Sequence, residues 1–177
     1  MYVGQSIRIA DLLHLGVPPS QSVRDDVSDN RIMNEHRKRI WWTTYCLDLM
    51  VCTEIGLTPS HETNENGLEY PSDEAVKEVG NQFFDAQLLK AHAELCQVRG
   101  QVIRTVTNQF ESSRLEHPNE FFGPFLDRIH NWRAKLPANL SYTFEHGIPE
   151  PMLRSPLVRS IASLYLRYYQ VLIRDTS

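Results

Sequence analysis

The chain has 177 residues, of which 41% are hydrophobic and 23% are charged, a composition that suits one globular domain and excludes wholesale disorder. Its formal net charge is -4, and this deficit of lysine and arginine argues against nucleic-acid binding by the chain itself, because phosphate contacts need a surplus of cations. The three cysteines are not closely paired and no signal peptide is predicted, so the sequence indicates a protein of the cytosol or nucleus.

Apolar residues recur at helical spacing in the first third of the chain. A first helix is predicted from an apolar face that consists of Val3, Ile7, Ala10 and Leu13. Gly16 is expected to cap this helix, ahead of a polar loop over residues 17–29. A second helix is predicted from Asn30 to Gly56, with apolar positions at Ile32, Ile40, Trp41, Thr44, Leu47 and Val51. Trp42 and Tyr45 add bulk on further sides, so more than one face is expected to be buried.

Three further helices are predicted in the rest of the chain. Asp73 is expected to cap a long third helix, with a seam formed by Phe84, Leu88, Ala91, Leu95, Val98 and Val102. A fourth helix should end at Pro137, with Phe122, Leu126, Ile129 and Leu136 grouped around Trp132. A fifth carries the face Leu157, Ile161, Leu164, Tyr168 and Val171.

These patterns predict an all-α fold, a multi-helix bundle of about five helices with long connecting loops. The longest apolar-rich stretch, residues 40–57, is too polar to span a bilayer. Because the helical pattern begins at residue 2 and continues almost to residue 177, we expect residues 1–177 to be a single, partial piece of a larger helical domain.

One acidic string suggests an enzyme. Asp25-Asp26-Val27-Ser28-Asp29 fits the D-D-x-x-D pattern with which helical prenyl-diphosphate enzymes hold Mg²⁺. The string follows Pro18, Pro19 and two serines, which predicts a loop in which the carboxylates do not share one helix face. A solvated acidic loop is therefore favoured, and a Mg-dependent prenyl-diphosphate enzyme remains the alternative.

No metal, cofactor or catalytic site is predicted. Cys46 and Cys52 lie six residues apart on one predicted helix and point in different directions, while Cys96 is distant in sequence. The seven histidines form no H-x-x-x-H pair, and neither a G-x-S-x-G elbow nor a P-loop occurs. The chain is therefore expected not to be an enzyme.

Charged residues of the second helix need separate explanations. The basic run His36-Arg37-Lys38-Arg39 suggests either a nuclear-import or phosphate-binding patch, or the solvated side of the helix, and the second is favoured. Asp48 lies between Leu47 and Leu49, where an unpaired carboxylate would cost several kcal/mol. It is expected to pair with an arginine or with helix N-terminal amides.

The segment 37–48, Arg-Lys-Arg-Ile-Trp-Trp-Thr-Thr-Tyr-Cys-Leu-Asp, resembles the basic, double-tryptophan helix of the fungal-specific transcription factor domain, the middle homology region of zinc-cluster regulators. Its motif positions here are Arg39, Trp41, Trp42, Tyr45 and Asp48. The resemblance extends in order over nearly the whole chain. Residues 7–16 resemble the family helix that ends in a Leu-Gly-Leu-His type turn, and Gly56 to Pro59 stands where the family has Gly-Arg-Pro, without its arginine. Pro71 closes an acidic loop, as in the family.

The resemblance implies regulation of transcription in a fungal nucleus. It implies that DNA is contacted only through a six-cysteine zinc-cluster domain outside this sequence, which would also hold the zinc. The implied partners are a second copy or a coregulator protein, and a small-molecule inducer, with no membrane. The residues at the motif positions are expected to have structural roles.

Overall fold

A computed structural model describes residues 2–18, 27–61, 67–79, 85–111, 118–143 and 155–176. These ranges contain five α-helices and one 3₁₀ helix, and no strand, which confirms the predicted all-α class. The α-helices are α1 (Tyr2–Leu12), α2 (Val27–Ile55), α3 (Ala86–Glu111), α4 (Pro118–Ala134) and α5 (Pro156–Thr176), and the 3₁₀ helix is Glu74–Val79. None of the described helices is long and apolar enough to cross a membrane. The chain divides into two compact units, Met1–Cys96 and Gln97–Ser177, so the boundary falls within α3.

In the first unit, α1 ends in a turn that differs from the predicted one. His14 has a left-handed backbone, with φ of 51°. The Leu15 N–H donates to Ala10 O and the His14 N–H donates to Asp11 O, which together form a Schellman motif. His14 therefore holds the C-cap position expected for Gly16. A non-glycine residue there costs about 1 kcal/mol in backbone strain.

Gly16 serves a different purpose, because it lies against the indole of Trp41. A Cβ atom at Gly16 would come within 2.6 to 2.8 Å of three ring carbons of Trp41. The ring is rigid and itself buried, so only the absence of a side chain lets the chain after α1 pass this close to α2.

The buried face of α2 differs from the predicted pattern. The three aromatic positions are buried as expected: Trp41, Trp42 and Tyr45. Leu49 is buried as well. Ile40 and Leu47, however, are 51% and 43% exposed. Three charged residues of the same helix, Glu35, Arg39 and Asp48, are instead buried beside the aromatic rings, at 4%, 6% and 3% exposure. The predicted end is confirmed: Gly56 has φ of 71°, and the Leu57 N–H donates to Cys52 O.

Two aspartates define the start of α3. The Asp85 side chain caps the helix by accepting the Leu88 N–H at 2.9 Å. Asp73, the predicted cap, lies before the 3₁₀ helix, yet both of its carboxylate oxygens accept the N–H of Ala86, at 3.3 and 3.2 Å. The predicted seam is confirmed by five buried residues: Leu88, Ala91, Leu95, Val98 and Val102. Its sixth member, Phe84, lies outside the described residues.

The second unit contains α4 and α5. On α5 the predicted face is confirmed by Ile161, Leu164, Tyr168 and Val171, all buried, whereas Leu157 is 43% exposed. Ile129 and Trp132 of α4 are also buried. Trp132 stacks on Tyr168 with ring centroids 5.9 Å apart.

The segment after α4 is held to α5 through one hydroxyl group. Tyr165 Oη donates to Leu140 O at 3.2 Å and accepts the Tyr142 N–H at 2.8 Å. The Arg133 guanidinium lies over the Tyr168 ring, 5.2 Å from its centroid. Hydrogen bonding to Tyr168 raises the pKa of Arg133, against the opposing effect of burial.

Candidate functional site: the inward face of α2

Arg39 is the centre of a partly buried ionic network in the first unit. Its Nη1 donates to Glu35 Oε2 at 2.7 Å, one helical turn away, and its Nη2 donates to Asp73 Oδ1 at 2.7 Å. Glu35 Oε2 also accepts the Ser72 N–H at 2.9 Å, and Glu35 Oε1 pairs with Lys38 Nζ at 3.2 Å. The guanidinium and both carboxylates thus have short charge-assisted partners, and the network ties α2 to residues 72–73.

The basic run therefore does not form a uniformly solvated side of the helix, contrary to the favoured expectation. Arg39 points inward, and Lys38 also pairs with Glu69 at 3.2 Å. Arg37 Nη2 donates to His14 O at 3.0 Å, which closes the turn after α1. The contacts of these three cations fasten neighbouring segments to α2.

Trp42 holds the acidic loop that ends at Pro71. Its Nε1 donates to Glu69 O at 3.1 Å, and its ring stacks on Tyr70 with centroids 4.6 Å apart and planes at 27°. Tyr45 meets the Trp42 ring edge-on at 5.4 Å. The Lys90 ammonium of α3 lies 5.5 Å from the Tyr70 ring centroid, a cation–π contact on the stack. Pro71, which follows Tyr70 in the sequence, is also buried.

Asp48 fastens the loop that follows α2. Its Oδ2 accepts the Ser60 N–H at 2.8 Å, beside the half-buried Pro59, and its Oδ1 accepts the Cys52 thiol at 3.7 Å. The partner amide belongs to a loop, so within the described ranges Asp48 has neither of the expected partners, an arginine or a helix N-terminus. Burial raises the pKa of the Cys52 thiol, and the charge and hydrogen bond of Asp48 raise it further.

Trp41 faces the end of α1 and the loop after α2. Besides Gly16, it contacts the His61 ring edge-on, with centroids 5.2 Å apart. His61 Nε2 in turn lies 2.9 Å from Asp11 Oδ1 of α1. Trp41 therefore contacts one segment that precedes α2 in the sequence and one that follows it.

Most of the motif residues predicted from the resemblance thus lie on α2, but their side chains contact different segments of the chain. Arg39, Trp42 and Tyr45 gather around the loop that ends at Pro71, whereas Asp48 and Gly56 act at the C-terminal end of α2. Sequence reasoning missed Glu35, Asp73 as an ionic partner, and the contact of Gly16 with Trp41. The spacing of Glu35 and Arg39, four residues apart on a predicted helix, was the signal that could have revealed the ion pair.

No group of three potential metal ligands occurs in the part of the chain that the structure describes. Of the acidic string considered for Mg²⁺ binding, Asp25 and Asp26 lie outside the described residues. Residues 27–29 belong to α2, which begins three residues before the predicted start at Asn30, so the prediction of a loop is wrong for this part of the string. The side chain of Asp29 lies outside the described residues.

Comparison with known families gives a match over almost the entire chain. The sequence profile of the fungal specific transcription factor domain matches residues 1–170. The chain belongs to this family. The double-tryptophan helix α2, with its ionic network, is therefore part of the family's domain.

Curated relatives of this family member are fungal transcription factors. The Fusaridione A cluster transcription factor fsdR of Fusarium heterosporum is 25% identical over 98% of this chain and 31% of its own length. ABC-transporter-regulating transcription factors of Aspergillus fumigatus and Aspergillus oryzae are each 24% identical over 81% of this chain and 16% of their own length. The chain thus spans less than a third of these relatives. No solved structure matches it significantly.

Proposed function

We propose that this chain is a non-catalytic regulatory domain of a transcription factor that acts in the nucleus. The observation that carries the proposal is that α2, the helix with the family motif, uses its buried polar groups to hold other segments of the chain. The Arg39 guanidinium binds Asp73 and the Trp42 indole binds Glu69 O, which hold residues 69–73. The Asp48 carboxylate accepts the backbone N–H of residue 60. Such an arrangement is suited to keeping or releasing one packing of the domain.

The partners of this regulatory domain follow from the same proposal. DNA would be contacted by a zinc-cluster domain outside this sequence, which would also hold the zinc. A second copy or a coregulator protein would bind the domain surface. The family membership favours this function over the Mg-dependent prenyl-diphosphate enzyme.

A gene-editing experiment tests the transcriptional role. In the source organism, deletion of the gene should change the level of a defined set of transcripts, and the tagged product should be found in the nuclear fraction. Arg39→Lys, which keeps the charge but loses the forked geometry, should reproduce part of that change. Arg31→Lys, at an exposed position of the same helix, is the control. Unchanged transcripts on deletion, with the product in the cytosol, would refute the proposal.

A small-molecule inducer would act by favouring one packing of the helices over another. A ligand shifts such an equilibrium only by its difference in affinity for the two states. Repacking around Trp41, Trp42 or Trp132 would alter the environment of an indole, so tryptophan fluorescence reports it. Unchanged emission of the purified chain across a panel of candidate metabolites would count against an inducer that acts in this way.

A further inference from the structure

The outward face of α5 carries apolar residues in addition to those of its buried face. Leu166, Tyr169 and Ile173 are 62%, 43% and 64% exposed. Their spacing of three and four residues places them on one line along the helix. Single exposed leucines are common at protein surfaces, whereas a contiguous apolar patch marks a place where another molecule binds. We call these three residues the α5 stripe.

Two arginines border the α5 stripe on the same side. Arg159 is exposed and lies seven residues before Leu166, so at 3.6 residues per turn the two side chains leave the helix in nearly the same direction. Arg167 follows Leu166 directly, is half-buried, and lies further round the helix on that side. Within the part of the chain that the structure describes, neither arginine pairs with a carboxylate. The sequence of α5 contains three arginines and one acidic residue, so the border of the stripe is positively charged.

Arg159 lies where a cation does not stabilise its own helix. Because α5 begins at Pro156, Arg159 belongs to the first turn, which contains no acidic residue. The N-terminus of a helix carries a partial positive charge that disfavours a nearby cation. The cations of α2 differ, because Arg37 donates to His14 O and Arg39 pairs with two carboxylates. Arg159 is therefore available to a carboxylate that another molecule supplies.

We propose that the α5 stripe binds an amphipathic helix of another protein that carries glutamate or aspartate along one border. The apolar face of this partner covers Leu166, Tyr169 and Ile173, and its acidic border pairs with Arg159. This gives the coregulator partner a surface and a chemistry, and it rests on the proposed function for that partner's role in transcription. The binding itself involves residues of the second unit alone.

Two other occupants fit the α5 stripe less well. Nucleic-acid binding needs several cations in contact with phosphates, and Leu166 and Ile173 have no group that hydrogen-bonds to phosphate. A membrane-surface helix buries its apolar face in lipid, whereas the larger apolar face of α5, with Leu164 and Tyr168, is already buried in the second unit. An acidic amphipathic helix matches the apolar line and the basic border together.

The size of the α5 stripe suits one short helix. Leu166 and Ile173 are seven residues apart, which is about 10 Å at 1.5 Å per residue, or two turns of a partner helix. The contact is smaller than a standard interface of about 1,600 Å², so the complex should dissociate readily. Buried apolar contacts carry most of the affinity of such a complex, and charges at its rim act mainly on selectivity and salt dependence.

The first test measures the binding of a labelled synthetic helix to the purified full chain by fluorescence anisotropy. The peptide has about 18 residues, enough to form a helix, with leucine at every third or fourth position and glutamate along one border. Binding should saturate and weaken as salt is added. Leu166→Glu should raise the dissociation constant about tenfold. Leu12→Glu, at a position of α1 that is 78% exposed, is the matched control and should leave it unchanged.

A charge swap tests the acidic border separately. Arg159→Glu should weaken binding of the acidic peptide about threefold at low salt. The same variant should bind a peptide with lysine in place of each glutamate more tightly than the unchanged chain does. Arg31→Glu, at an exposed position of α2, is the control and should alter neither affinity.

Three outcomes would overturn the proposal: no saturable binding of the acidic peptide, equal weakening by Leu166→Glu and Leu12→Glu, or equal binding of the acidic and the lysine peptide. Binding to phosphatidylserine vesicles that Leu166→Glu abolishes, without peptide binding, would identify a lipid surface instead. Leu166→Ser, which adds no charge, is the second variant if circular dichroism shows that Leu166→Glu is not helical. Transcript levels on gene deletion are measured independently, so failure of peptide binding leaves the transcriptional role standing.

Discussion

The helices α2 and α5 bury their inward faces by different means. On α5 the face consists of Ile161, Leu164 and Tyr168, apolar or aromatic residues at helical spacing. On α2 the inward face combines indole rings with Glu35 and Arg39, whose charges are paired with each other and with loop groups. Burial of a charge is tolerated only when nearly all of its hydrogen bonds are made.

Apolar periodicity in the sequence predicts the buried face of α5 but not that of α2. On α5 hydrophobicity and burial coincide along this face, so the pattern of the sequence identifies it. On α2 the partners that make burial of Arg39 favourable, Asp73 and the Ser72 backbone, come from more than thirty residues away. Ile40 and Leu47 remain exposed although the pattern marks them as core.

The largest expected effect comes from breaking the ionic face of α2. Arg39→Met removes the partner of two carboxylates, one of which is buried, and should lower the free energy of unfolding by about 3–5 kcal/mol. Arg159→Met, at an exposed position of α5, should change it by less than about 0.5 kcal/mol. Urea unfolding followed by circular dichroism measures both. Equal small effects would show that the α2 charges contribute no more than surface charges.

A methyl group added opposite Trp41 tests how tightly α2 is packed. Gly16→Ala should destabilise the chain by about 1–3 kcal/mol, because the rigid indole must move. Gly4→Ala is the control: a Cβ there meets no atom within 4 Å, and alanine in a helix should stabilise by about 0.5–1 kcal/mol. Thermal melts of the two variants should shift in opposite directions. A shift of both to higher temperature would contradict the close contact.

On α5, one tyrosine hydroxyl holds the segment that follows α4. Tyr165→Phe keeps the ring but leaves Leu140 O and the Tyr142 N–H without this partner, and should cost about 1–3 kcal/mol. Tyr169→Phe, where the ring is 43% exposed, is the matched control and should be close to neutral. If both variants unfold at the same urea concentration, the hydroxyl does not fasten the segment after α4.

The smallest effect concerns the thiol next to Asp48. Because burial and Asp48 raise the pKa of Cys52 in the folded state, the unfolded chain loses this proton first as pH rises past about 8.5. The contribution of Cys52 to stability is thus constant below that pH and falls above it. Iodoacetamide should modify Cys52 more slowly than free cysteine at pH 8.5.

Asp48→Asn removes the negative charge and should speed modification of Cys52 several-fold, as measured by mass spectrometry across a pH series. Asp127→Asn, an exposed carboxylate on α4, is the control. If both variants react at the rate of the unchanged chain, Asp48 is not what keeps the thiol protonated.

Much of the fold was predictable from sequence because helix ends and apolar seams are local features. The end of α2 at Gly56 and the seam of α3 follow from neighbouring residues alone. The sequence predicts Gly16 at the turn after α1, since glycine is the usual residue at a left-handed position, but His14 occupies that position. Gly16 is required by a contact with Trp41, twenty-five residues later, and no local pattern reports such a contact.

The carboxylate of Asp73 joins two segments that lie thirteen residues apart in the sequence. It pairs with Arg39 on one side and accepts the first backbone N–H of α3 on the other, so residues 73 and 86 are held together whatever lies between them. Lengthening a closed loop costs little additional entropy, about 0.6 kcal/mol for each doubling. Insertions between Asp73 and Ala86 should therefore leave the start of α3 in place.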